Sequence, residues 1–178
     1  MNFAELIAKR QSDRKYDLTR PVETEKIERC IESARLAPSA CNAQPWKYIA
    51  ITDPELRKKI GDCAADLGMN KFCADAPMIV VLVLEKPNLA SKIGSVLKGK
   101  EYTLIDIGIA AAHFCLQATE SGLGTCMVGW FDEKKVRKLL GIPSSKRVPL
   151  LITAGYPDSP LRPKIRKKIE DVFSENKY

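Results

Sequence analysis

Two basic clusters lie at opposite ends of the chain, and each carries cations at alternate positions. Lys9-Arg10-Gln11-Ser12-Asp13-Arg14-Lys15 stands near the start, and Arg162-Pro163-Lys164-Ile165-Arg166-Lys167-Lys168 near the end. Alternate side chains of an extended segment point the same way, so Arg10, Ser12 and Arg14 are able to converge on one anion. Lys164 and Arg166 repeat the spacing, and the chemistry such a pair of clusters suits is the binding of a phosphate. Each cluster alone also reads as a solvated basic surface, since charge runs usually are.

Between them lies Ala37-Pro38-Ser39-Ala40-Cys41-Asn42-Ala43-Gln44-Pro45-Trp46, a polar loop bounded by prolines. Ser39, Asn42 and Gln44 supply short donors and acceptors beside an apolar indole. A flavin needs this combination, polar groups for its pyrimidine edge and ribityl chain and flat apolar walls for its ring. A helix-to-strand loop whose Asn and Ser satisfy local backbone groups needs the same residue types, so composition leaves both readings open.

The elements that must position these residues follow from periodicity. Phe3, Leu6 and Ile7 mark a short amphipathic helix over 2–10, and Val22, Ile27, Cys30, Ile31 and Ala34 a second that ends at Pro38. Trp46 to Thr52 alternates as a strand, and Asp53-Pro54 opens a helix with proline in its first turn. Met78 to Leu84 is a continuous apolar run, expected as a strand covered on both faces. The 87–100 stretch reads as a polar connection with a weakly helical piece. Tyr102 to Ser121 is a helix apolar around nearly its whole circumference, which requires burial all round and hence a partner, with this helix at the centre of a dimer. Gly122 and Gly124 are expected to cap it. A strand over 125–128, a helix from the Asp132 cap to Leu140 and a strand over 149–154 follow. The tail from about residue 157 lacks a core face until Val172 and Phe173 and is expected to wrap on the partner subunit.

Length and charge narrow the class. At 178 residues the chain suits one domain, 1–178, with its own core. A net charge of +7 raises nucleic acid and anionic membrane as partners. The clusters lack the interleaved aromatics and recognition helix of a nucleic-acid reader, and the apolar face of an interfacial helix. Neither partner is expected. Glu5, Lys9 and Arg10 leave no signal-peptide core, no run reaches spanning length, and the six cysteines form no CxxC pair. These features point to a reduced, cytoplasmic protein. His113 is the lone histidine, so a His-based zinc site is not expected, and on its helix it reads as a structural residue rather than a base. Gly94 to Lys100 fits most of a P-loop, but Glu101 stands where the magnesium-ligating hydroxyl belongs. Gly122-Leu-Gly124 lacks the third glycine of a dinucleotide fingerprint, with Met127 in its place.

The series R-Q-S-x-R-K-Y, A-P-S-A-x-N-x-Q-P-W, G-I-A-A-A-H, G-L-G-T-C-M-V-G, G-Y-P and K-x-R, in this order from Arg10 to Arg166, resembles the nitroreductase family of flavoproteins. That resemblance implies an α+β fold, a mixed β-sheet flanked by helices, built as an intertwined homodimer with two FMN sites at the subunit interface. It implies that Arg10 and Ser12, with neighbouring Gln11, hold the FMN phosphate together with Lys164 and Arg166. Arg14 would meet the pyrimidine edge, where its charge stabilises the reduced flavin anion. Pro38, Ser39, Ala40, Asn42 and Gln44 would reach the flavin from the other subunit. Met127, Val128 and Gly129 would line one ring face, with the Gly129 N–H directed at N5. Asn70 is a loose counterpart of an asparagine at the pyrimidine edge.

The chain departs from the family pattern at Trp130, which replaces a glycine, and in the short 88–100 region where larger members insert substrate-shaping helices. The implied activity is ping-pong, two-electron reduction of a small acceptor such as a nitroaromatic or quinone by NADH or NADPH, with no catalytic side chain. Dehalogenation or flavin fragmentation on the same fold is the alternative, and a basic nucleic-acid-binding protein is the alternative from another class.

Overall fold

The computed structural model describes residues 1–65, 68–88 and 97–178. Its centre is the strand expected from the unbroken apolar run, β2 (Met78–Leu84). Ile79, Val81 and Val83 enter one core cluster and Met78, Val80 and Leu82 the other, as the two-residue period of a strand demands. Strands β1 (Trp46–Ile51), β3 (Gly124–Val128) and β4 (Arg147–Gly155) complete a sheet of order β1-β2-β4-β3. Every pair of neighbouring strands is antiparallel. Among the described residues parallel pairing is confined to an isolated bridge between Ser12 and Thr125.

Helices cover both faces, which is why β2 has no polar side. On one face pack α2 (Thr24–Arg35) and α4 (Tyr102–Glu120), bringing Cys30, Ala34, Ile107, Ala111, Phe114 and Ala118 against Val80 and Ile152. On the other pack α3 (Pro54–Asp62) and α5 (Glu133–Leu139), whose Ile60 and Val136 are fully buried. Asp53 caps α3 by accepting from Leu56 N at 2.8 Å, and Asp132 caps α5 by accepting from Lys135 N at 2.9 Å, as their positions in the sequence suggest. The lone imidazole joins two elements: His113 Nδ1 lies 3.3 Å from the Ser33 carbonyl of α2.

Within the chain the burial expected of α4 is met in part, and one of the two expected capping glycines takes another role. Helix α4 is covered on one side only within the chain. Leu104 and Ile105 are 44% and 54% exposed, and Gly108 and Ala112 continue the same open stripe. Of the two expected capping glycines, Gly122 alone acts so, with φ +81°, whereas Gly124 begins β3. Its hydrogen-only side chain serves packing instead, because a Cβ there would lie 2.6 Å from Asp13 Oδ2. The start of the P-loop-like stretch, and with it most of the 87–100 connection, lies outside the described residues.

A short amphipathic helix, α1 (Phe3–Lys9), precedes the first basic cluster. The tail leaves β4 at Gly155 and runs back along residues 10–17. Asp17 N donates to the Tyr156 carbonyl at 2.9 Å and Asp158 N to the Lys15 carbonyl at 3.0 Å. Beyond Lys164 the tail is exposed, with Ile165, Ile169, Val172 and Phe173 in solvent.

The contact between Gly124 and Asp13 fixes how closely β3 approaches the first basic cluster. Gly124→Ala is expected to lower stability by about 1–3 kcal/mol, the usual cost of overpacking a filled site. Thermal denaturation checks this, and an unchanged midpoint would show that Asp13 moves aside freely.

Candidate functional site

The structure brings the two basic clusters together. Arg10, Gln11, Ser12 and Arg14 line one cleft of about 560 Å³ with Arg162, Lys164 and Arg166. The Ser12–Thr125 bridge and the bond from Asp13 N to the Thr125 carbonyl, 2.8 Å, hold the first cluster extended beside β3. The alternation read from the sequence holds in part: Arg10, Ser12 and Arg14 face the cleft and Asp13 turns inward and is buried, but Gln11 reaches the cleft as well.

The second cluster is pinned to the first through backbone groups. Lys164 Nζ donates to the Arg10 carbonyl, and Arg162 Nη2 to the Ser12 carbonyl. Gln11 works in both directions. Its Oε1 accepts from Arg162 N at 3.1 Å, and its Nε2 donates to Asp13 Oδ1 at 2.7 Å. Gln11 therefore fastens the tail as well as lining the cleft, and Arg162, quoted in the basic run but given no role, is the residue that locks the tail in register.

So many cations in one place leave an electrostatic mark. The Lys164 ammonium is held below its ordinary pKa, first by lost hydration and then by the charges of Arg10 and Arg166. Burial pushes the Asp13 carboxyl above its usual range, opposed by the Gln11 bond and by Arg162 and Lys164. A dianionic ligand with several acceptor oxygens would relieve the repulsion among the cations and engage their donors together. The donor set fits a phosphate monoester.

A second cleft of about 730 Å³ continues from the first, sharing Arg10, Lys164 and Arg166. Its remaining walls are mainly apolar: Ala4, Ile7 and Ala8 from α1, Ala112, Cys115 and Leu116 from α4, and Met127 from β3. Met127 is exposed, whereas the Val128 side chain belongs to the core and can contribute only backbone here. At Gly129, which follows β3, a Cβ would meet nothing within 4 Å, so close packing does not account for its glycine. Asn70 Nδ2 donates to the Trp130 carbonyl at 3.1 Å, joining the Asn70 turn to the end of β3. Arg14 lies over the Phe72 ring at 5.8 Å, a contact that the sequence reading missed. Another cleft, of about 1020 Å³, lies between α3 and α5 and contains none of the expected residues.

The 38–44 loop does not join this cleft within the chain. It is fastened to the first half of α4, where Ala40 N donates to Asp106 Oδ1 at 3.0 Å. Ser39 Oγ accepts from Gln44 N at 2.9 Å, and Gln44 Nε2 donates to Asn42 Oδ1 at 3.0 Å. Ala112, Cys115 and Leu116 of the apolar cleft lie roughly 9–15 Å further along the same helix, at 1.5 Å per residue. Loop and cleft are thus set along one helix whose open apolar stripe runs between them.

The nitroreductase-family model matches residues 7–71 and 63–156. The chain belongs to the nitroreductase family. It is an oxidoreductase of the nitroreductase type. The oxygen-insensitive NADPH nitroreductase of Helicobacter pylori is 26% identical over 201 residues, covering 96% of this chain and 94% of that protein. An FMN-dependent nitroreductase of Clostridium difficile superposes with a TM-score of 0.79 at 27% identity, covering 99% of this chain and all of that one. Iodotyrosine deiodinase 1 of Rattus norvegicus is 25% identical over 179 residues, 87% of this chain and 62% of that protein. Among the described residues no helix is long and apolar enough to cross a membrane, and no cluster of His, Cys, Asp and Glu could hold a metal ion.

The depressed Lys164 gives a pH test. An anion in the cleft raises the lysine's pKa, so binding takes up a proton wherever free Lys164 has lost its own. Affinity for pyrophosphate is therefore expected to fall as the pH rises through the free-state pKa of Lys164. In Lys164→Gln the alkaline decline attributable to this residue should disappear. Calorimetric titration across alkaline pH checks it, and an unchanged decline in the variant would remove Lys164 from the anion site.

Proposed function

We propose that the protein is an FMN-dependent oxidoreductase that accepts electrons from NADH or NADPH and passes them to a small acceptor such as a nitroaromatic or a quinone. The observation that carries this reading is the convergence of Arg10, Ser12, Lys164 and Arg166, from opposite ends of the sequence, on one cleft that opens into an apolar one. When bound, FMN supplies a reversible two-electron store.

The residues of the chain bind and orient it. Arg10, Ser12, Lys164 and Arg166 hold the phosphate with Gln11 as their brace, and Arg14 offers positive charge to the pyrimidine edge. Asn70, Met127, Gly129 and the backbone of Val128 border the ring. One open cleft serves nicotinamide donor and acceptor in turn, which gives ping-pong kinetics. No side chain is needed as acid or base.

Residues 1–178 act in this reading as one FMN-binding unit, and two copies pack through the open stripe of α4. The stripe ends beside the 38–44 loop, so a second copy laid antiparallel on it would bring Pro38, Ser39, Ala40, Asn42 and Gln44 of one subunit toward the cleft of the other. The exposed tail beyond Lys164 would wrap on that partner. All six cysteines are free.

The deciding experiment is a visible spectrum of the purified protein with FMN, followed by anaerobic addition of NADH and NADPH. Flavin bands that bleach support the reading. Failure to bind FMN removes it. Bands that bind but do not bleach favour a specialised role such as dehalogenation, which the deiodinase likeness keeps in view. Should the +7 charge instead serve nucleic acid, retention on a polyanion would persist in the presence of FMN.

Two further outcomes are expected. Arg10→Ala should weaken FMN binding about 10-fold or more, the worth of a charge-assisted hydrogen bond, as read by flavin fluorescence quenching. Cys41 is the one exposed cysteine and lies inside the loop. FMN should slow its alkylation by maleimide in the dimer, and equal rates with and without FMN would place the loop away from the ligand.

A further inference from the structure

We propose that Asp106 is a positioning residue for the flavin, acting through the 38–44 loop rather than by contact with the cofactor. This rests on the FMN reading above. Asp106 is the only carboxylate between Tyr102 and Thr119 of α4, and no motif noted in the sequence includes it. It is 3% exposed. Its Oδ1 accepts from Ala40 N at 3.0 Å, while its buried Oδ2 has no partner among the described residues. A buried carboxylate with one oxygen unsatisfied is unfavourable for the fold, so its presence needs a reason.

The loop supplies that reason. Cys41, Asn42 and Gln44 take φ values of +52°, +50° and +45°, a left-handed conformation that side chains other than glycine rarely adopt. Backbone of this kind persists only where its surroundings over-determine it, and such sites cluster where ligands are held. The bonds from Gln44 N to Ser39 Oγ and from Gln44 Nε2 to Asn42 Oδ1 are internal to the loop. They fix its shape without fixing its place. Among the described residues three bonds attach it to the body: Trp46 N of β1 donates to the Gln44 carbonyl at 2.8 Å, Asn88 Nδ2 to the Cys41 carbonyl at 2.9 Å, and Ala40 N to Asp106. Asn88 belongs to the connection after β2. Among the described residues Asp106 alone hydrogen-bonds the loop to α4, the helix that also lines the apolar cleft. The Ala40–Asp106 bond therefore sets where Ser39, Asn42 and Gln44 stand along the helix, and so what they reach in a second copy.

The test uses the full-length protein and three variants. Asp106→Leu removes the acceptor without leaving a large void. Asp106→Asn keeps an acceptor oxygen. Ala40→Pro removes the donor instead, and so decides the matter should Asp106→Leu fail to fold. Asp106→Leu and Ala40→Pro are expected to weaken FMN binding about 10-fold, and Asp106→Asn by no more than about threefold. At saturating FMN the visible band should shift in Asp106→Leu and not in Asp106→Asn, a change that loss of stability alone does not produce.

Amide hydrogen exchange at Ala40 reads the bond with no cofactor present. Exchange should speed up at least about 10-fold in Asp106→Leu and stay near wild type in Asp106→Asn. Wild-type FMN affinity in Asp106→Leu, or an Asp106→Asn protein as impaired as Asp106→Leu, overturns the proposal. If the wild type itself fails to bind FMN, the functional reading falls, while exchange at Ala40 still reports whether Asp106 anchors the loop.

Discussion

Repulsion among cations is the constraint around which one end of this molecule is organised. Arg10, Arg14, Arg162, Lys164 and Arg166 border a single cleft, and left to electrostatics they would separate. They are held by directed bonds: Lys164 and Arg162 donate to the carbonyls of Arg10 and Ser12, and Gln11 clasps the tail backbone. Asp13, buried beneath them, attracts Arg162 and Lys164, and Gly124 leaves the room it needs. Gln11 satisfies one Asp13 oxygen and so opposes the burial that works against its charge. Each piece is explicable only with the others.

The sheet makes that arrangement affordable. An all-apolar central strand with helices on both faces gives two core clusters, and these fix β3 and β4 firmly enough to carry loosely structured segments at their ends. The first basic cluster lies beside β3, and the tail issues directly from β4. Neither segment is a regular helix or strand, yet both are positioned through backbone bonds to elements that are. Helix α4 performs the corresponding service for the 38–44 loop, holding it through one carboxylate. Binding groups on irregular chain are thus referred to a rigid frame, as loops carrying function generally are.

Much of this was legible in the sequence. The periodicities of α2, α4, β1 and β2 and the caps at Asp53 and Asp132 are local signals, and local signals survive folding. The facing of Arg10, Ser12 and Arg14 followed from the two-residue period alone. What was not legible depends on chain segments distant in sequence. Gly124 reads as a helix stop because it follows a helix, but the pressure on it comes from Asp13. Arg162 could be seen only as one charge in a run until Gln11 and the Ser12 carbonyl received it. Asp106 carried a usable signal, a solitary carboxylate in a long apolar helix. The all-round apolar pattern of α4 was read as needing a partner, and within the chain Leu104, Ile105, Gly108 and Ala112 stand open.

The separation of the two basic clusters has a consequence for when the site exists. Lys164 bonds to Arg10 across 154 residues, and Arg162 to Ser12 across 150. Contacts so far apart in sequence close late, after the intervening sheet has paired. A nascent chain that has reached only β4 lacks the tail's share of the cleft. The anion site therefore awaits residues 162–166, which follow all four strands that build the two core clusters.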